Sequence, residues 1–237
     1  MIKAVLFDLD GTLLPMNQDV FVEDYMKRLA SAMAAQGYDP KALVGAIFSG
    51  IAAMTGNDGS RTNEEAFWDA FCAVFGPDAR KDEHFFQEFY STDFQKVQSV
   101  CGLQSMAADL IEMLKGKGTR RILATNPLFP ALATHSRVRW AGLRTDDFEW
   151  ITTFENSSFC KPNPDYYREI LVKLNLQPEE CIMVGNDVEE DMIAGSLGMQ
   201  TFLLTDCIIN PYQKDIHVFS HGSFPELLDY LRSVCLC

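Results

Sequence analysis

AVLFDLDGTLL, residues 4–14, begins as an unbroken apolar run and then sets Asp8 and Asp10 on either side of Leu9, ahead of Gly11 and Thr12. An apolar run this short reads as a strand buried on both faces, because such a strand need not alternate apolar and polar residues. A carboxylate closing that strand has little structural excuse. Charged side chains are rarely buried without a partner, and desolvating one alone is costly. Asp10-Gly11 is by itself a common turn dipeptide, so Asp8 raises the question of chemistry most sharply.

Similar runs recur at residues 121–124, 150–153, 181–184 and 201–204, with helical apolar spacing between them at 102–115, 129–140, 164–174 and 189–197. Alternating strands and helices predict an α/β fold, a Rossmann-like doubly wound parallel sheet covered on both faces. The interval after the first strand is too long for one crossover. From about residue 16 to 94 the spacing is helical, at 21–36, 40–55, 63–75 and 82–90, with breaks at Gly37 to Pro40, Gly56 to Gly59 and Gly76-Pro77. The reading is a core domain of residues 1–15 and 95–237 with an all-helical cap domain, 16–94, inserted after the first strand.

Hydrophobic residues are 47% and charged residues 22% of the 237, the balance of a folded globular chain. The 33 Asp and Glu outnumber the 20 Lys and Arg, for a net charge of -13. That charge disfavours nucleic acid and anionic membrane surfaces as partners. Asp8 interrupts the N-terminal apolar run before it reaches the length of a secretory signal, and the uncharged stretch 42–57 is shorter than the ~18 residues of a membrane span. The seven cysteines, odd in number and scattered, fit reduced thiols. A cytoplasmic location is expected. The closing Cys235-Leu236-Cys237 could bind a metal but reads better as an inert tail, and nothing in the sequence sets an oligomeric state.

In an open parallel sheet, ligands bind at the carboxyl ends of the strands. Asp8 and Asp10 follow the first strand, Thr125 and Asn126 the second, and Asp187 and Asp191 the fourth, while Lys161 precedes the helix opened by Pro164. Each has a plainer reading. Asp187 or Asp191 could cap a helix, Thr125 and Asn126 could form a turn before Pro127, and Lys161 could be a surface charge. Their joint occurrence favours function. Converging carboxylates raise one another's pKa and need a cation, and an oxygen-only set suits Mg2+ better than zinc. The one histidine pair with ligand spacing, His217 and His221, falls in a strand or loop rather than on a helix face.

The order Asp-x-Asp-Gly-Thr, Thr-Asn, Lys-Pro, Gly-Asn-Asp-x-x-x-Asp resembles the haloacid dehalogenase superfamily, in particular its magnesium-dependent phosphatases with an alpha-helical (C1-type) cap. The resemblance implies Asp8 as nucleophile and Asp10 as general acid and base. It implies Thr125 and Asn126 as phosphate ligands, with Lys161 holding nucleophile and phosphate together. Asp8, Asp10, Asp187 and Asp191 would hold Mg2+. Relatives that cleave carbon–halogen bonds lack the counterpart of Asp10, so its presence points to phosphate chemistry. The fourth motif departs from the common Gly-Asp by reading Gly185-Asn186-Asp187, which leaves open whether Asp191 touches the metal or only its waters. The expected activity is hydrolysis of a small phosphorylated metabolite, with a phosphomutase as the alternative. A phospho-accepting signalling receiver is the reading from another class, disfavoured by chain length and by the helical insertion. In the cap, Arg61 and Asn57, and less so Trp68, are candidate substrate contacts.

Overall fold

The structure is a computed structural model describing residues 1–235; Cys237, half of the terminal cysteine pair, lies outside them. Six parallel strands form one sheet in the order β3-β2-β1-β4-β5-β6: β1 (Ala4–Phe7), β2 (Arg120–Leu123), β3 (Trp150–Ile151), β4 (Cys181–Gly185), β5 (Gln200–Leu204) and β6 (Ser220–Gly222). β1 lies centrally, Phe7 level with Leu123 of β2 and with Val184 of β4. All of its residues are fully buried. Val5 and Phe7 face one apolar cluster, whereas Ala4 and Leu6 face a second built around Tyr166, Tyr167 and Ile170. Successive residues of a strand point to opposite faces. Burial on both faces therefore accounts for the unbroken apolar run.

Five α-helices intervene between β1 and β2, and the first four make up the helical segment that follows β1: α1 (Gln18–Ala34), α2 (Pro40–Thr55), α3 (Asn63–Phe75) and α4 (Glu83–Ser91). Their starts are set by capping side chains that satisfy otherwise orphaned N–H groups. Asn17 accepts from Val20 N, Asp39 from Ala42 N with Pro40 behind it, and Thr62 forms a reciprocal capping box with Glu65. A 3-10 segment, Asp93–Val100, leads on to α5 (Ala107–Gly116). α6 (Ala131–Trp140), α7 (Pro164–Leu174) and α8 (Phe224–Cys235) complete the layers around the sheet.

The first apolar cluster runs without a break from β1 into the inserted helices. Phe94 is central to it, with ring centroids 5.0 Å from Trp140, 5.2 Å from Tyr90, 5.9 Å from Tyr25 and 6.4 Å from Phe129. These rings belong to α6, α4, α1 and the loop after β2, so one side chain ties the insertion to the sheet domain.

Three local expectations give way. Residues 189–197 form a turn followed by a 3-10 segment, Met192–Leu197, rather than an α-helix, because Asp191 is drawn into the protein interior and Gly195 and Gly198 weaken the helical alternative. The helix expected from residue 102 starts at Ala107. β6 and α8 were not anticipated: Ser-His-Gly carries no strand signal, while Leu227 and Leu231, four residues apart and fully buried, did carry a helical one. Among the described residues no helix is long and apolar enough to cross a membrane, and the six described cysteines are unpaired.

Phe94→Ala should lower unfolding free energy by about 3–5 kcal/mol, the usual cost of emptying a buried ring site, read as a shift in urea midpoint.

Candidate active site

The ends of β1, β2 and β4 surround a cavity of about 60 Å³ lined by Asp8, Asp10, Thr125, Asn126, Asp187 and Asp191 among others. Lys161, from the loop before α7, stands behind two of these side chains, Asp8 and Asp191. Its ammonium is fully buried and donates to Asp8 Oδ1 at 2.9 Å and to Asp191 Oδ1 at 2.6 Å. Burial alone would lower the ammonium's pKa, but Asp191 and then Asp8 outweigh it, so the group is held protonated well above its ordinary value.

Two glycines permit this packing. Gly11 adopts φ +86°, and a Cβ there would sit 2.3 Å from Asn186 Nδ2. A Cβ on Gly185 would lie 2.0 Å from Asp191 Oδ2. Only glycine fits where β1 and β4 close on each other's loops. Thr12 Oγ1 lies 3.2 Å from Asp8 Oδ2 and 3.0 Å from Asn186 Oδ1, linking the two loops, and Asn186 Nδ2 donates to Cys207 O at 2.7 Å.

Both oxygens of Asp191 are committed, Oδ1 to Lys161 and Oδ2 to the Asp187 N–H at 2.9 Å. Asp191 thus fixes Lys161 and the β4 loop, and as it also lines the cavity it stays an expected partner of the metal or of its waters. Asp187 is different. Its Oδ1 accepts from the N–H groups of Glu189 and Glu190 at 2.7 and 2.9 Å, and its side chain lines the cavity with one oxygen still to offer.

Asn126 lines the cavity as well. Its amide nitrogen lies 3.0 Å from both carboxylate oxygens of Glu190, and its carbonyl accepts from Lys161 N at 3.3 Å, so it also tethers loops. Thr125 lines the cavity beside it. Thr152 Oγ1 and the Tyr166 hydroxyl donate to its backbone oxygen at 2.6 and 2.9 Å, while its own side chain faces the cavity.

The cap candidates do not reach the site. Asn57 donates to Arg61 O at 2.9 Å and to Asn63 Oδ1 at 3.0 Å, holding its own loop, and Arg61 pairs with Asp69 at the surface. Neither lines the acidic cavity. Arg61 stood out because it was the cation of a glycine-rich loop, and its neighbour eight residues on neutralises it.

Two charged residues at the site carried no clear sequence signal. Arg137, fully buried in α6, pairs with Asp10 Oδ2, donates to Thr134 Oγ1 at 3.2 Å and stacks on Phe129 with its guanidinium carbon 4.3 Å from the ring centre. Beside Arg139 it resembled the basic last turn common to helices. Glu190 looked like one member of an acidic run. Burial pushes its pKa up to about 8 against the pull of Lys161.

Burial likewise raises Asp10, opposed by Arg137 and reinforced by Asp8, to about 6. Its Oδ1 is buried with no partner, a state less costly for a neutral carboxyl than for an anion. Both raise the proton affinity of the carboxyl toward the range that proton exchange needs, although at neutral pH the anion paired with Arg137 predominates.

For a metal, the donor set is hard oxygen throughout. Among the described residues no three acidic, histidine or cysteine side chains form a closed cage. Mg2+, which takes one or two carboxylates and retains waters, does not need one, so the set fits that ion.

Between pH 4 and their folded pKa values of about 6 and 8, Asp10 and Glu190 hold protons that the unfolded chain has lost. More protons bound in the native state means that stability falls as pH rises. His135, lowered by burial, opposes this only below its ordinary 6.5. In chelator, the thermal midpoint should therefore decline from about pH 6.5 to 8, and Glu190→Gln should flatten the decline; a rising midpoint contradicts this charge balance.

Comparison with known proteins agrees with this geometry. The haloacid dehalogenase-like hydrolase family matches residues 2–197. Over 82 residues the chain is 27% identical to glyceraldehyde 3-phosphate phosphatase of Methanothermobacter thermautotrophicus, a stretch covering 35% of this chain and 36% of that protein. The chain thus matches about a third of that relative's length. Two solved structures superpose over nearly the whole chain. The HAD phosphatase of Thermococcus onnurineus has a TM-score of 0.58 at 19% identity, covering 98% of this chain and 97% of that one. The magnesium-bound HAD-hydrolase YfnB of Bacillus subtilis has a TM-score of 0.57 at 19% identity, covering 98% and 99%. At such identities the superposition speaks for the fold. The family match falls on the very strand ends that gather Asp8, Asp10, Lys161 and Asp187, and the chain therefore belongs to the haloacid dehalogenase-like hydrolases.

Proposed function

We propose that the chain is a magnesium-dependent phosphatase that hydrolyses a small phosphomonoester through an aspartyl-phosphate on Asp8. The observation that carries this reading is the buried Lys161 ammonium held 2.9 Å from Asp8 Oδ1, with Asp10, its proton affinity raised by burial, two residues away. Asp8 and Asp187 would hold Mg2+, with Asp10 and Asp191 beside it, and the ion would supply the positive charge that lets a phosphate dianion approach a carboxylate. Magnesium in YfnB, a protein of the same fold, supports that assignment.

Lys161 orients the Asp8 carboxylate and offsets part of the phosphoryl charge, and the Thr125 side chain offers a hydroxyl to a phosphoryl oxygen. Asp8 attacks phosphorus in line. The bond to the ester oxygen breaks, its electron pair leaves with that oxygen, and Asp10 delivers the proton that makes it a neutral alcohol. Asp10, now ionised and steadied by Arg137, takes a proton from water as that water attacks phosphorus, and phosphate departs from Asp8.

The helical segment 16–94 acts as a cap that excludes stray water during the first step. Hydrolysis is favoured over a mutase because the cation that a second phosphate would need, Arg61, is already paired with Asp69. The phosphatase named among the relatives acts on a small phosphorylated metabolite, which supports the same substrate class.

Purified protein with Mg2+ should release phosphate from small phosphomonoesters. Asp8→Asn should reduce the rate at least a thousandfold, since it removes the nucleophile, and retained turnover in that variant overturns the reading. Lys161→Met should cost about 3–5 kcal/mol of stability, because Asp8 and Asp191 are left buried without their counter-charge.

A further inference from the structure

Beside the acidic cavity lies a second one of about 420 Å³, enclosed between the inserted helices and the sheet domain. Its walls are mainly apolar: Met26 of α1, Ile51 of α2, Trp68 of α3, Phe86 of α4 and Phe129 of the loop after β2. Gln18, at the start of α1, lines both cavities and so places them side by side, while an open cleft of about 930 Å³ adjoins the acidic cavity through Gln18, Asn186, Asp187 and Ile209.

The few polar groups of this wall are largely spent. The Tyr25 and Tyr90 hydroxyls bond each other at 2.9 Å, and Glu155 accepts from Ala131 N at 2.8 Å. No lysine or arginine lines the cavity, whereas the carboxylates of Glu83 and Glu155 do. A ligand group lodged here meets apolar surface and negative charge, with its main hydrogen-bonding partners the amides of Gln18 and Gln87, the latter already donating to Glu83 at 3.2 Å, and the single buried, unpartnered N–H of Trp68.

We infer that this cavity seats the alcohol portion of the substrate, and that the substrate is a phosphomonoester of an uncharged, predominantly apolar alcohol, alkyl or aromatic. The inference rests on the phosphatase reading for the phosphoryl end and deepens it at the other. With the phosphoryl group beside Lys161 and Thr125, the ester oxygen lies near Gln18 and the carbon chain continues between α1, α2 and α4. Arg80, which stacks on Trp68, is already paired with Glu64 and Glu83, so a second anion would meet Glu155 with no uncommitted cation in the wall, which disfavours phosphorylated carboxylic acids and bisphosphates. A sugar carries more hydroxyls than two amides and one indole N–H can satisfy, and each orphaned one weakens binding about tenfold. Methylene groups gain instead, about fourfold in affinity apiece.

The test uses the full chain with Mg2+ and two parallel series, n-alkylphosphonates from methyl to hexyl for binding by calorimetry and the matching n-alkyl phosphates for phosphate release. Glucose 6-phosphate and 3-phosphoglycerate serve as polar comparators. Affinity and kcat/KM should both rise along the series, by at least about 30-fold from methyl to hexyl, and hexyl phosphate should exceed both comparators. In Ile51→Trp, which fills the cavity, the hexyl-to-methyl ratio should fall below about fivefold. That ratio is read within one protein and is insensitive to the fraction correctly folded. A flat series in the native protein, or either comparator exceeding hexyl phosphate, overturns the inference while leaving the phosphatase reading intact. Chain-length-dependent phosphonate binding without phosphate release from any ester supports the cavity assignment and overturns the phosphatase reading.

Discussion

The architecture of the site depends on one buried ammonium. Lys161 lies between Asp8 at the end of β1 and Asp191 beyond β4, and without it two carboxylates would be enclosed with no counter-charge. The parallel pairing of β1 with β4 brings those strand ends level, and Gly11 and Gly185 let the following loops close over each other. Burying a charge is tolerable only when partner and hydrogen bonds are in place. Strand register, two glycines and one cation are therefore a single constraint.

That constraint leaves a deliberate imbalance. Asp8, Asp10, Asp187, Glu190 and Asp191 gather at or beside a cavity where Lys161 and Arg137 are the cations of the same neighbourhood. An anionic substrate entering such a place is repelled unless further positive charge accompanies it. Burial first, and the neighbouring Asp8 after it, raise the proton affinity of Asp10 against the pull of Arg137. Charge surplus and raised proton affinity thus have a common origin in the packing of the strand ends.

The inserted helices are coupled to this chemistry through aromatic side chains. Phe129 carries the Arg137 guanidinium on one face, packs near Tyr25 with ring centroids 5.3 Å apart, and forms part of the apolar cavity wall. Arg137 in turn meets Asp10. A contact made in the apolar cavity is therefore two side chains away from the proton donor, a short path from substrate shape to the positioning of the acid.

Asp8, Asp10, Thr125, Lys161 and Asp187 were legible in the sequence because strand ends and motif order locate them along the chain, and local pattern is enough for that. The α/β alternation and the four inserted helices were legible for the same reason, since periodicity and capping residues act within a few positions. The partners that Asn126 and Asp191 take in the folded chain were not legible, because Glu190 lies 64 residues from one and Lys161 30 residues from the other. Arg137 was hidden among the basic residues of an ordinary helix end, and Arg61 was over-read because a surface partner neutralises it. The sequence by itself determined which side chains are available for phosphate chemistry and on which elements they sit. Only the tertiary structure decided how their charges are shared and what lies beside them, because burial, counter-charge and cavity shape are set by residues distant in the chain.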